Sequence, residues 1–173
     1  MDTRTIMIFP EFHNIDVIHF YRKQYDPLSA LVKPHITLVF PFQSNISNDR
    51  LNKHLSDKLM NIKPFEITLN GVSKQPGELG NYLFLNIIEG KEHIHEIHED
   101  LYSGLLKEYK QEYPYTPHLT LGNLDSFEKL EIAYLDASNC NETFKTVINT
   151  ISVEVIGALG KSMIISEHRL KAV

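Results

Sequence analysis

Several features that would place a chain quickly are missing from this one. Its 173 residues include a single cysteine, Cys140. That excludes an internal disulfide and any thiolate-based zinc cluster, and it fits a reducing, cytoplasmic setting. No apolar run is long enough to span a bilayer, and the stretch from Ile6 to Phe9 stops at Pro10, too short for a signal segment. A soluble chain with no membrane partner is therefore expected. There is no phosphate-binding glycine loop and no Gly-x-Ser-x-Gly elbow to present a serine nucleophile. Positive charge is not in excess either. Lys and Arg number 17 against 22 Asp and Glu, a net charge of -5 with histidines neutral. That argues against non-specific binding of long nucleic acids, but leaves room for a local pocket taking one nucleotide or RNA end.

What is present is ordinary globular material, 42% hydrophobic and 23% charged, enough for one domain or two small fused lobes with a real core. Thr5 to Phe9 predicts a short buried strand. Asn14 is placed to cap a helix through Ile15, Ile18, Phe20 and Tyr21. Pro34 leads into a strand from His35 to Phe40, stopped by Pro41. Ser47 or Asn48 caps a helix on which Leu51, Leu55 and Leu59 recur at four-residue steps. Phe65 to Val72 alternates as a half-buried strand, Gln75 to Gly80 is a loop, and Tyr82 to Ile88 completes a hairpin. A helix follows with Ile94, Ile97, Leu101 and Leu105 on one stripe. His118 to Leu121 is a strand ended by Gly122. The Asp125 to Glu128 spacing suggests a capping box. Phe144 to Ile156 and Ser162 to Ser166 are strands around a Gly157 to Gly160 turn. Strands and helices mix without strict alternation, which favours an α+β fold.

One pattern occurs twice. Pro34-His35-Ile36-Thr37-Leu38 returns as Pro117-His118-Leu119-Thr120-Leu121, each on an expected strand after a proline-ended loop. The surrounding elements repeat loosely as well, which suggests two similar lobes with one motif each within a single domain spanning residues 1–173. With nine histidines and nine threonines in the chain, a Thr two places after a given His is expected about one time in twenty. Two such matches inside five-residue repeats are not an accident of composition.

The spacing suits a particular chemistry. Residues i and i+2 of a strand project to the same face. His35 with Thr37, and His118 with Thr120, therefore point together, while Ile36, Leu38, Leu119 and Leu121 enter the core. Two such strands brought together line a cleft with two imidazoles and two hydroxyls. One imidazole can take a proton from an attacking oxygen, and the other can give one to a leaving oxygen. The hydroxyls can donate to phosphate oxygens as charge develops.

These motifs resemble those of the two-histidine phosphoesterase superfamily, which includes the 2'-5' RNA ligase family and RNA 2',3'-cyclic phosphodiesterases. Tyr25-Asp26-Pro27 followed by Pro34 to Phe42 is similar to the first half of bacterial members. The resemblance implies a bilobal, pseudo-two-fold arrangement of two antiparallel-sheet lobes with flanking helices and the site between them. It also implies metal-independent hydrolysis or reversible ligation with His35, Thr37, His118 and Thr120 in the site, no cofactor, and a nucleotide or RNA end as substrate. Phe40, Phe42, Tyr82 and Tyr115 are candidates to stack on a base, and Lys33 and Lys161 to meet a phosphate. A monomer is expected, since paired lobes can cover each other.

Two rival readings use the same residues differently. The same cleft can serve a non-catalytic module that binds a nucleotide or RNA end. His93, His95 and His98 can also suggest a metal-dependent hydrolase, but no complete ligand set converges and a solvated helix face explains them. Cys140 lies in a polar stretch and reads as a loop thiol.

Overall fold

The structure, a computed structural model, describes residues 2–171. The element order is β1 (Thr3–Ile8), α1 (Ile15–Tyr25), β2 (Ile36–Gln43), α2 (Asn48–Leu59), β3 (Phe65–Gly77), β4 (Gly80–Glu89), α3 (Lys91–Leu101), β5 (His118–Leu124), α4 (Phe127–Ala137), β6 (Phe144–Ile148), β7 (Thr150–Ile156) and β8 (Ser162–Arg169). The strands form two four-stranded antiparallel sheets, ordered β2-β1-β7-β8 and β5-β4-β3-β6. The expected α+β, two-lobed architecture is what the chain adopts.

The lobes are built by exchange. Helix α1 follows β1 of the first sheet but packs on β5 of the second, and α3 follows β4 of the second sheet but packs on β2 of the first. Strand β3 leaves the first half to complete the second sheet, and β7 returns to complete the first. In each sheet the motif strand lies at an edge, and β2 and β5 approach each other between the lobes. Gly122 makes one crossing possible: a Cβ there would stand 2.8 Å from the Tyr25 Cβ at the end of α1.

The core follows the sequence periodicities. Ile36, Leu38, Leu119 and Leu121 are buried, as are Leu51, Leu55 and Leu59 of α2 and Ile94, Ile97 and Leu101 of α3. Each such side chain contributes about 1.5–3 kcal/mol by leaving water. Ser47 caps α2, its hydroxyl accepting from the Arg50 amide.

Several element boundaries differ from expectation, each for a local reason. Pro41 does not end β2, which runs on to Gln43. It sits on an edge strand beside a register shift, where a missing N–H costs no ladder bond. Gln75, Pro76 and Gly77 are paired strand residues opposite Tyr82, Asn81 and Gly80, so the hairpin turn is only Glu78-Leu79. Gly122 likewise lies inside β5. The apolar stripe of α3 ends at Leu101, and Leu106 rather than Leu105 is buried beyond it. The cap of α4 is Ser126, accepting from the Lys129 amide, while Asp125 pairs with the Lys129 ammonium. Asn14 bonds across to Glu142 and the Thr143 carbonyl instead of capping α1. The run from Phe144 to Ile156 is two strands, one in each sheet.

Candidate active site

Both motifs share a burial pattern, although His118 opens β5 whereas His35, expected to begin its strand, stands one residue before β2. Along each, proline and the two aliphatic residues are buried while His and Thr are half-buried, so the i, i+2 pair shares the open face. His35 Nδ1 bonds to the Lys33 carbonyl at 2.8 Å, and His118 Nδ1 to the Thr116 carbonyl at 2.8 Å. A carbonyl only accepts, so in both rings Nδ1 carries the proton. That leaves both Nε2 atoms with a lone pair in the neutral ring.

The two rings differ electrostatically. Burial pushes His118 down to about 4, partly offset by the Thr116 carbonyl, and the nearby His35 disfavours its charge further. His35 is also lowered by burial and, less, by the Arg22 guanidinium, while the Lys33 carbonyl and Asp26 act in the opposite direction. His118 is stacked by Phe84 of β4, centroids 3.6 Å apart with 20° between planes. His35 has only a tilted contact with Phe9 at 6.2 Å.

Beneath His35 lies a buried ion pair. Arg22 Nε donates to Asp26 Oδ2 at 2.8 Å, Nη2 lies 2.7 Å from the same oxygen, and Nη1 donates to the Val32 carbonyl at 2.9 Å. The pair holds the loop that presents Pro34 and His35. On the other side, His98 of α3 donates from Nδ1 to the Leu38 carbonyl at 2.7 Å and lies flat against Tyr115. His98 is 3% exposed, so this histidine belongs to the interior and not to a solvated helix face. Among the described residues, no group of three or more His, Cys, Asp or Glu is placed to hold a metal ion.

The other candidates fall in different places. Phe42 is buried in the core against Tyr109, at 5.0 Å, with no face left for a base. Phe40 is half-buried, meeting Tyr115 edge to face at 6.3 Å. Tyr82 stacks on Phe84 at 5.8 Å, continuing the aromatic row that begins at His118. Lys33 is exposed beside His35, between surface cavities that it shares with Phe9 and Ile164. Lys161 lies in the exposed β7–β8 turn, its carbonyl accepting from Gly157. Cys140 is half-buried. Sequence reasoning missed Phe9, Phe84, Arg22 and Tyr102, and quoted Asp26 only within the Tyr25-Asp26-Pro27 resemblance. The signal for Phe84 was its place between the core residues Leu83 and Leu85, but only the β4–β5 register puts it against His118.

Two antiparallel sheets in this order, with four flanking helices, form the fold of the LigT-type phosphoesterases. Escherichia coli LigT without ligand superposes with a TM-score of 0.63 at 16% identity, covering 99% of this chain and 98% of that one. LigT complexed with 3'-AMP gives 0.63 at 14% identity, covering 99% of both chains. The family profile described as 2'-5' RNA ligase superfamily matches residues 9–155, and the chain belongs to that superfamily. A Bacillus licheniformis protein described as "putative phosphoesterase" is 34% identical over 119 residues, 67% of this chain and 68% of its own length. A Geobacillus thermodenitrificans protein of the same description is 34% identical over 119 residues, 68% of this chain and 66% of its own length. The chain thus matches about two thirds of each relative. Among the described residues no helix is long and apolar enough to cross a membrane.

Proposed function

We propose that the chain is a metal-independent phosphoesterase that opens a 2',3'-cyclic phosphate, or makes and breaks a 2'-5' phosphodiester, of a nucleotide or RNA end. The observation that carries this is the matched pair of imidazoles, each with Nδ1 committed to a backbone carbonyl and Nε2 left for chemistry. Superfamily membership supports the reaction class, and the binding of 3'-AMP by LigT supports a nucleotide as substrate.

The unequal surroundings of the two rings, with Phe84 stacked on His118 and only a tilted Phe9 near His35, support one distribution of roles. In it His118, whose charge burial disfavours, is the base that takes a proton from water. The water oxygen bonds to phosphorus and the bond to the ribose oxygen breaks. His35, beside Asp26 and the Lys33 carbonyl that favour its charged form, gives that oxygen its proton. The product is a phosphomonoester, His118 ends protonated and His35 neutral, and exchange with solvent restores both. Thr37 and Thr120 donate to the non-bridging oxygens as charge builds. With a 5'-hydroxyl in place of water, the same steps join two ends: the hydroxyl oxygen bonds to phosphorus, its proton passes to His118, and the departing ribose oxygen takes a proton from His35; in the reverse cleavage the histidines exchange roles.

The test is hydrolysis of a 2',3'-cyclic nucleotide in excess chelator by wild type, His35→Ala and His118→Ala, with the product position read by phosphorus NMR. The expected result is one regioisomer from wild type and a loss of at least about 100-fold in each variant. Wild-type turnover in both variants would overturn the assignment. Tight nucleotide binding with no turnover would make the cleft a binding module, and activity lost to chelator would favour a metal-dependent hydrolase.

A further inference from the structure

Tyr115 does something its counterpart in the other half cannot. Counted back from the motif prolines, Tyr115 corresponds to Val32. In the first half, Arg22 of α1 reaches this position and donates to the Val32 carbonyl at 2.9 Å. In the second half, His98 of α3 covers the face of Tyr115, with centroids 3.6 Å apart and planes 1° from parallel. The Tyr115 hydroxyl then crosses to the other motif and donates to the Thr37 carbonyl at 2.7 Å. Valine has no atom that could return the tie, so among the described residues this side-chain brace runs from one side only.

The brace is rigid and short. His98 is itself fixed to β2 through the Leu38 carbonyl at 2.7 Å, and the Phe40 amide donates to the Tyr102 hydroxyl at 3.0 Å. Phe40 meets Tyr115 edge to face at 6.3 Å. At the other end, Tyr115 immediately precedes Thr116, whose carbonyl holds His118 Nδ1 at 2.8 Å. One side chain therefore connects the backbone of the Thr37 motif to the loop that orients His118. With one face covered by His98 and the hydroxyl engaged, Tyr115 has structural work that a base-stacking role would interrupt.

We propose that Tyr115 is a positioning residue for the two-histidine reaction: clamped on His98, it sets the separation of the two motifs and so the gap that a phosphate must bridge between His35 and His118. This rests on the phosphoesterase reading above, although the brace itself can be measured without a substrate. Reacting groups misplaced by about 1 Å cost on the order of 100-fold in rate, so a brace between the two motifs has leverage on turnover.

The variants are Tyr115→Phe, which keeps the ring and removes the crossing hydroxyl, and His98→Gln, which removes the stack but retains an amide donor. The readouts are NMR titration of His35 and His118, and kcat and KM on a 2',3'-cyclic nucleotide. In Tyr115→Phe the gap loosens, water enters and repulsion from His35 weakens, so His118 titrates closer to the ordinary histidine value. Turnover falls about 10- to 100-fold, with KM changed by less than about threefold. His98→Gln moves both readouts the same way and carries the test if Tyr115→Phe fails to fold. Wild-type titrations together with kcat within about twofold of wild type would overturn the proposal. A wild-type protein that hydrolyses no phosphodiester would sink the phosphoesterase reading and with it the part Tyr115 plays in turnover. Displaced titrations in the variants would then still establish the brace, and unchanged ones would remove it as well.

Discussion

Phe84 lies against His118 with 3.6 Å between ring centroids, whereas the ring nearest His35, Phe9, is tilted and 6.2 Å away. Two motifs with the same burial pattern are thereby given unequal surroundings, a difference that would suit the two proposed roles of base and acid. Phe84→Ala removes the stack and admits water. His118 then rises from about 4 toward the ordinary 6.5, which NMR titration of its ring protons would detect. An unmoved titration would show that the stack is not what burial acts through.

The pH dependence of kcat/KM follows from the same inequality. With the proposed roles, the productive free enzyme would have His118 neutral and His35 protonated. Activity therefore rises as His118 loses its proton near 4, and falls as His35 loses its own below its ordinary value of 6.5. The expected profile is a bell with its maximum on the acid side of 6.5. A bound phosphodiester anion stabilises both imidazolium forms, so the kcat profile lies at higher pH than that of kcat/KM. A kcat/KM profile flat from pH 4 to 8 would contradict the assignment of roles.

Thr37→Val and Thr120→Val keep the β-branched shape and remove a hydroxyl. Each is expected to lower kcat by about 100-fold through lost stabilisation of the developing charge, with a smaller effect on KM. Steady-state kinetics on a cyclic nucleotide would separate the two. An effect confined to KM would make these hydroxyls ground-state binders instead.

Arg22 and Asp26 have side chains 1% and 4% exposed. Removing one partner strands a buried charge, at a cost of about 3–5 kcal/mol. Arg22→Met is therefore expected to shift the urea midpoint strongly, and Arg22→Met with Asp26→Asn together to recover part of the loss. The single variant also frees the Val32 carbonyl and loosens the loop before His35, so its turnover should fall even where it is folded.

Stability carries a pH signature too. His35, His98, His118 and His168 are all lowered in the folded state, first by burial. The unfolded chain takes up protons near 6.5 where the folded chain does not, so stability declines as pH falls below that value. Denaturant midpoints compared at pH 7.5 and 5.5 should be lower at the more acid pH. Equal midpoints would mean that these rings are hydrated in the native state.

The motifs were visible in the chain because their period is local. His at i and Thr at i+2 share a strand face whatever the strand pairs with, and the aliphatic residues between them announce which face is buried. The sheet class followed from the same alternation. What could not be read was any property that depends on partners distant in sequence. Phe84 is one strand residue among several until the register sets Thr120 opposite it. His98 looked solvated beside Glu96 and Glu99, because the i, i+3 spacing that places it inward is shared with a surface face. Pro41 reads as a strand terminator by its chemistry, and only the edge position of β2 makes it harmless. The run from Phe144 to Ile156 has unbroken strand character, and the step from one sheet to the other leaves no mark on composition.

The crossed helices have a further consequence. A fragment ending after α2 would hold the β1–β2 ladder without β7 beside β1, and α1 would have no β5 to lie on. The remainder would hold β5 without α1, and α3 without β2 to cover. Much of the native structure is closed by distant segments of the chain, since each sheet holds strands from both halves. Each motif strand likewise rests against a helix that belongs to the other half of the chain: β5 against α1 and β2 against α3.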